Sequence, residues 1–261
     1  MGSNQQSDIK SEVAAIVTAM TDAEQPFVRD TIESVLSDAG IGQLVLMVDE
    51  KNTWIDAILI PFISDPRLEV VRIPLMPLGA VRNKALESVR MPWVAYCDGD
   101  DVWCKGKTLT QLNFAKETGS DFVGVDHYLT NEKGDVRAFA TARNTPMPSS
   151  WMVKTEIMKQ HPFTELPWSV KEEAGEWWIR THGIVSKARC PKMFLRYRIR
   201  ANSLSSKTAS LQKKAKIVRL ANIPGVGAII FLVTWCIWLF TRQNKYIWNI
   251  EWGQQPYNNN Q

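Results

Sequence analysis

Apolar residues fall in short continuous runs that alternate with stretches of helical spacing. Residues 13–18 (Val-Ala-Ala-Ile-Val-Thr) form one such run, followed by Asp22 and Pro26 and then by Val28, Ile32, Val35, Leu36 and Ala39 at steps of three and four. The first reads as a buried strand and the second as a helix with one apolar stripe. Residues 44–48 repeat the strand pattern and end at Asp49, whereas 54–63 is apolar and fits helix or strand. Residues 70–73, 93–97 and 121–125 add short strands. Val81, Ala85, Leu86 and Val89 mark a helix face, and Leu109, Leu112 and Ala115 another within 102–119. This alternation predicts the α/β class, with a doubly wound, mostly parallel sheet covered by helices.

After Val125 the periodicity fades. Residues 141–150 are rich in proline and serine and read as a loop, followed by a helix over about 152–160 that ends at His161-Pro162. A helix over 172–182, a strand over 194–200 and a basic amphipathic helix over 205–220 complete the pattern. Residues 223–240 then form an 18-residue run without a charge, near the lower limit of the roughly 17–25 residues that cross a bilayer. Pro224, Gly225 and Gly227 weaken its first turn, so a helix lying in the membrane interface stands beside a spanning one, and a buried soluble helix is a third reading. Lys213, Lys214, Lys216 and Arg219 precede the run and Arg242 and Lys245 follow it. That bias keeps the N-terminal part on the cytoplasmic side, and Trp235, Trp238, Tyr246, Trp248 and Trp252 suit an interfacial belt. The divisions expected are a disordered polar 1–12, a main domain over 13–206, the basic helix over 207–222, the membrane-associated helix over 223–242 and a polar tail over 243–261.

Composition narrows the class further. The 261 residues are 45% hydrophobic and 22% charged, enough for a sizeable core, which excludes disordered, collagenous and mini-protein classes. Lysine and arginine total 31 against 27 acids, a net +4 too diffuse for a dedicated nucleic-acid binder. Cysteines at 97, 104, 190 and 236 have no CxxC spacing and fit neither a zinc site nor a disulfide framework, which suggests a reducing compartment. Residues 1–12 lack an apolar stretch, so no secretory signal is expected.

In open α/β sheets ligands bind beyond the carboxyl ends of the strands, and acids collect there. Thr18 and Asp22 follow the first strand, Asp49 and Glu50 the second, and Asp98-Gly99-Asp100-Asp101 the fourth. Three carboxylates in four residues repel one another unless a cation or proton is shared. A hard divalent cation with oxygen ligands answers that cost, and Gly99 permits a tight turn; a solvated acidic turn is the alternative. Upstream, Gly79, Arg82 and Asn83 open a helix whose N–H groups and guanidinium favour an anion.

These segments resemble the glycosyltransferase family 2 domain, of the GT-A nucleotide-diphospho-sugar fold, over about residues 13–206. Residues 13–18 and 46–49 are similar to its first two strands, and 79–83 (Gly-Ala-Val-Arg-Asn) to its glycine, arginine, asparagine motif. Asp98-Gly99-Asp100-Asp101-Val102-Trp103 resembles the DxD metal motif, Glu172-Glu173 through Arg180 the acidic motif that supplies the base, and 197–205 the closing segment. The resemblance implies metal-assisted, inverting transfer of a sugar from a nucleotide-sugar donor, UDP-linked in the first instance, to a lipid-linked or saccharide acceptor near a membrane. Asp98, Asp100 and Asp101 would hold Mg²⁺ or Mn²⁺; Thr18, Asp22, Asp49, Arg82, Asn83, Asp98 and Arg200 would bind the donor. Three departures stand out. Ala174 follows Glu173 where the family has Glu-Asp, so Glu173 is the first choice of base with Glu172 and Glu176 as alternates. Arg200 replaces a metal-approaching histidine and has no lone pair to ligate a cation, which points it to the diphosphate. The second strand ends Val-Asp-Glu-Lys instead of Asp-Asp-Gly-Ser, which suits Asp49 to the nucleobase better than Glu50.

Other features read more simply. Trp151, Trp168, Trp177 and Trp178 fit core packing better than an acceptor platform, Cys97 is an apolar filler, and His127, His161 and His182 have no ligand spacing. Ala174 and Arg200 also fit a catalytically weak membrane scaffold that binds nucleotide sugars. A related nucleotidyltransferase is the second alternative, although residues 19–23 lack its phosphate loop.

Overall fold

The computed structural model describes residues 11–142, 146–166, 173–200 and 209–243. In chain order the elements are β1 Val13–Ala19, α1 Val28–Leu36, β2 Ile41–Asp49, α2 Ile55–Leu59, β3 Leu68–Ile73, α3 Leu78–Ser88, β4 Trp93–Asp98, β5 Val102–Trp103 and α4 Lys107–Thr118. They continue as β6 Phe122–Thr130, β7 Val136–Ala140, β8 Trp151–Lys154, α5 Thr155–Gln160, α6 Glu173–Arg180, β9 Lys187–Arg198, α7 Ala209–Ala221 and α8 Val226–Thr241. One sheet runs β3-β2-β1-β4-β8-β6-β9-β5, with β7 on β6.

The sheet corrects one expectation. It is parallel through β3, β2, β1 and β4 and again between β6 and β9, but β4–β8, β6–β8, β6–β7 and β5–β9 are antiparallel. The architecture is therefore α/β with a mixed sheet. The antiparallel half was hard to read because β8 has four residues and runs straight into α5, so 152–160 looks like one helix, and β7 has five, too few for a period.

Every residue of β1 is buried, as a central strand covered on both faces requires. Its side chains alternate between two cores. Val13, Ala15, Val17 and Ala19 join Ile32 and Val35 of α1 and Leu112 of α4; Ala14 and Ile16 join Val81 and Ala85 of α3, Met158 of α5 and Trp177 of α6. Trp151, Trp177 and Trp178 belong to this second core, with Trp151 stacked on Phe163 and set edge-on to Phe122. They are core residues, as expected of large aromatics; Trp168 lies outside the described residues. Cys97 is buried, its thiol pushed up by burial.

The first core also contains a cation. Lys107 is fully buried, its Nζ 3.9 Å from the centre of the Trp103 ring, and that nitrogen has no hydrogen-bond partner among the described residues. Burial pulls its ammonium down to about 7, against roughly 10.4 in an unfolded chain. Between those values the unfolded chain binds the extra proton, so stability rises with pH across about pH 7 to 10. Lys107→Met should raise stability at pH 7 by about 1–3 kcal/mol and flatten part of that rise. The remainder belongs to Lys187, which burial also pulls to about 7. Urea unfolding at pH 7 and pH 9.5 checks this; a variant with the parent's stability at both would contradict it.

The C-terminal apolar run is divided by the chain itself. Ile223 to Gly225 form the turn between α7 and α8, with Gly225 at φ 81°, leaving 16 residues for α8. That is about 24 Å of helix against a hydrocarbon core of about 30 Å, and among the described residues no helix is long and apolar enough to cross a membrane. α8 lies on β7, whose free edge it covers: the Phe139 N–H donates to Thr234 Oγ1 at 3.1 Å, and the Phe139 ring stacks on Trp238. Below it, Arg189 and Asp126 form a fully buried bidentate pair. The Trp238 N–H donates to Asp126, and Arg189 donates to the Thr241 carbonyl.

Candidate active site

The expected acids stand at the ends of neighbouring parallel strands. Thr18 pairs with Asp98 across β1 and β4, next to β2, which closes on Asp49. β1 has β2 on one side and β4 on the other, so the ends of β1 and β4 bracket a topological switch point. Gly99 is required by closeness: its N–H donates to the Thr18 carbonyl at 2.9 Å, and an added Cβ would lie 2.7 Å from that oxygen. The turn therefore presses against β1 and presents Asp98 and Asp100 beside the loop that follows it.

Two arginines balance these acids. Arg82 of α3, about 1% exposed, donates to Asp98 Oδ1 at 2.9 Å and to Glu173 Oε1 at 2.7 Å. The Tyr96 and Phe163 rings flank its guanidinium, so a buried cation is held by two carboxylates and two aromatic faces. Arg200 donates from Nε to Asp100 Oδ2 at 2.6 Å, from a terminal nitrogen to the Ala23 carbonyl, and lies 3.5 Å from Glu24 Oε1. Burial pushes the Asp100 carboxyl up against the pull of Arg200. The other oxygens of Asp98 and Asp100 have no hydrogen bond to a described side chain.

Asp101 has a different position. It is fully buried, Oδ1 accepts the Arg198 N–H at 2.9 Å, and its carbonyl accepts the Thr31 hydroxyl. Burial first, then the Asp100 and Asp98 carboxylates, pushes its carboxyl well above the usual range. It thus braces the turn from behind, leaving the carboxylates of half-buried Asp98 and buried Asp100 toward the strand ends. Among the described residues no three His, Cys, Asp or Glu are grouped to hold a metal, so any cation there would draw its remaining ligands from substrate oxygens and water. Mg²⁺ commonly binds in that way, through one or two carboxylates and phosphate oxygens, and the two oxygens that remain on Asp98 and Asp100 fit such an ion.

The remaining expected residues divide. Asp49 is nearly buried and caps the Lys51 N–H, and Asp22 accepts the Trp54 indole N–H at 2.9 Å; both stand at the strand ends. The Asn83 amide is committed to the main chain of Phe163, donating to its carbonyl and accepting its N–H, and so fastens the segment before α6. Glu176 pairs with Arg180 one turn along α6 and accepts from Thr164, outside the Arg82 cluster. Glu172 lies outside the described residues, so Glu173 is the described acid that joins α6 to the strand-end site. Glu24 was not anticipated. It forms a capping box with Thr21, burial raises its carboxyl above the usual range, and it faces Arg200. The signal available was the Thr21-x-x-Glu24 spacing, which predicts a helical turn directly beside the site.

With this geometry established, the family profile described as Glycosyl transferase family 2 matches residues 15–182. The chain belongs to glycosyl transferase family 2. A relative from Bacillus subtilis (strain 168), TuaG, is named as a teichuronic acid biosynthesis glycosyltransferase, an assignment its name marks as provisional. The two are 31% identical over 125 residues, 47% of this chain and 49% of TuaG. Solved structures of S. aureus TarS 1–349 share the fold. The complex with UDP matches with TM-score 0.60 at 14% identity over 72% of this chain and 60% of TarS; the complex with UDP-GlcNAc matches with TM-score 0.60 at 17% over 80% and 65%. The chain thus spans about half of TuaG and less than two thirds of either TarS chain. The family match ends before Arg200, α7 and α8, which are features of this chain beyond the matched domain.

Proposed function

We propose that the chain transfers a sugar, with inversion, from a nucleotide-diphosphate donor to a hydroxyl of a lipid-linked or saccharide acceptor in cell-surface polysaccharide synthesis, on the cytoplasmic side of a membrane. The observation that carries this reading is the pair Asp98 and Asp100, each held by an arginine through one carboxylate oxygen with the other left over. UDP is the favoured nucleotide because TarS was solved with UDP and UDP-GlcNAc, and the polysaccharide context follows the name of TuaG.

In this reading Asp98 and Asp100 hold Mg²⁺ or Mn²⁺, which when bound would neutralise the diphosphate and favour its departure. Arg200 adds a fixed positive charge at the same place, and Asp49 and Asp22 face the nucleoside. Arg82 orients Glu173 through one oxygen, leaving the second to accept the proton of the acceptor hydroxyl as the new glycosidic bond forms. An oriented carboxylate of this kind contributes roughly 10²–10⁴-fold.

A panel of nucleotide sugars assayed for hydrolysis and for transfer, with divalent metal and with chelator, tests the proposal. One UDP-sugar should be consumed at least tenfold faster than the corresponding GDP-sugar, and chelation should suppress that rate. Consumption of a nucleoside triphosphate and a sugar phosphate to release pyrophosphate, without use of any nucleotide sugar, would favour a nucleotidyltransferase instead.

A further inference from the structure

α8 is apolar around most of its circumference, and the described residues cover only one side. Ile230, Thr234 and Trp238, four residues apart, face β7 and Asp126. Around the helix, Ile229, Leu232, Val233, Ile237 and Phe240 recur at steps of three and four, and all are exposed, Ile229 to 64% and Phe240 to 87%. Ile223 and Leu220 extend this surface past the turn into α7. A contiguous apolar face of this kind on a folded chain marks a binding surface.

Charge identifies what it binds. Residues 202–250 contain seven lysines and arginines and no aspartate or glutamate, whereas the rest of the chain has 24 basic and 27 acidic residues. Lys213, Lys216 and Arg219 are exposed on α7, the first two sharing the face of exposed Leu220 by helical spacing, and Arg242 is exposed at the end of α8. A second copy of the chain would bring these cations against their own kind, but an anionic lipid surface complements both the apolar strip and its basic border.

We infer that α7 and α8 form an interfacial anchor: α8 lies along an anionic bilayer with Ile229, Leu232, Val233, Ile237 and Phe240 among the acyl chains, and the α7 cations rest on the headgroups. The helix does not span. Its inner face is fixed to the domain through Thr234, Trp238 and the Thr241 carbonyl. The β6–β7 turn, which leads into the strand α8 covers, is tied to the acid turn by Arg198, which donates both to the Glu132 carbonyl and to the Asp100 carbonyl. This deepens the membrane-proximal part of the proposed function but uses none of the donor site, so lipid binding and sugar transfer can fail separately.

The full chain is mixed with vesicles of phosphatidylcholine alone or with 30% phosphatidylglycerol and floated, without donor. It should float with anionic vesicles, at least tenfold more than with neutral ones at low salt. Ile237→Ser/Phe240→Ser should lose at least tenfold of the binding, and Lys213→Glu/Lys216→Glu/Arg219→Glu should lose the anionic preference, with unchanged circular dichroism and UDP binding. Gln243→Cys, compared with the parent, should react with an impermeant maleimide on intact vesicles as fully as in detergent. Protection of residue 243 until detergent is added would overturn the flat placement in favour of spanning. Absence of flotation, with a concentration-dependent dimer that Ile237→Ser/Phe240→Ser dissolves, would overturn the lipid assignment in favour of a second copy.

Discussion

Glu173→Gln is expected to lower kcat by about 10²–10⁴-fold while changing the KM for donor by less than about threefold. The size follows from the loss of one oriented proton acceptor, and the selectivity from the geometry. Glutamine keeps an oxygen toward Arg82, and the guanidinium retains Asp98 as its charge partner. Binding of the donor, at the other side of Arg82, then continues, and only proton acceptance is lost. Glu176→Gln is the internal comparison. Its carboxylate is already occupied by Arg180 and Thr164, so its effect should stay within a few-fold. Steady-state kinetics with saturating acceptor decide the matter, and a Glu173→Gln enzyme of undiminished kcat would remove the residue from the chemistry.

Asp98→Asn/Asp100→Asn should cost kcat/KM for donor at least about 10²-fold, since stabilising charge on a leaving diphosphate is worth roughly 3 kcal/mol or more. The contacts that brace the turn, to Arg198 and Thr31, are carried by Asp101. Both amides can still accept from Arg82 and Arg200, so the turn should keep its shape. Chelation of divalent metal supplies the check: it should slow the parent strongly and the double variant hardly at all, because the variant has already lost what chelation removes. Equal suppression of both by chelator would place the metal elsewhere.

The half of the fold that was legible is the half where each strand is central. β1, β2 and β4 are covered on both faces, so their sequences are largely apolar, and those of β2 and β4 end abruptly in Asp49 and Asp98. The break from apolar to acidic marks the site in the sequence itself. β7 and β8 gave no such signal, one being an edge strand of mixed burial and the other flowing into a helix. The pairing of Arg82 with both Asp98 and Glu173 joins residues 16 and 91 positions apart, and no periodicity encodes contacts of that range. Along the chain Glu176 stands as an alternate to Glu173; in the fold about one helical turn separates them, which gives Glu176 to Arg180 through a local pair. The C-terminal run read as long enough to cross a membrane because hydropathy does not register that its first three residues lie in the turn after α7 and that α8 starts only beyond Gly225. Glu24 escaped notice because its partner, Arg200, lies 176 residues away.

The central claim is that the turn closing β4 binds a nucleotide diphosphate, and equilibrium titration tests it most directly. UDP, UMP and uridine are titrated into the full chain by calorimetry with Mn²⁺, then with chelator, and into Asp98→Asn/Asp100→Asn. The account predicts that UDP binds with metal at least tenfold more tightly than UMP or uridine, and that both chelation and the double substitution abolish this advantage. Binding of UDP that is no tighter than that of uridine, or that survives the double substitution unchanged, would contradict it.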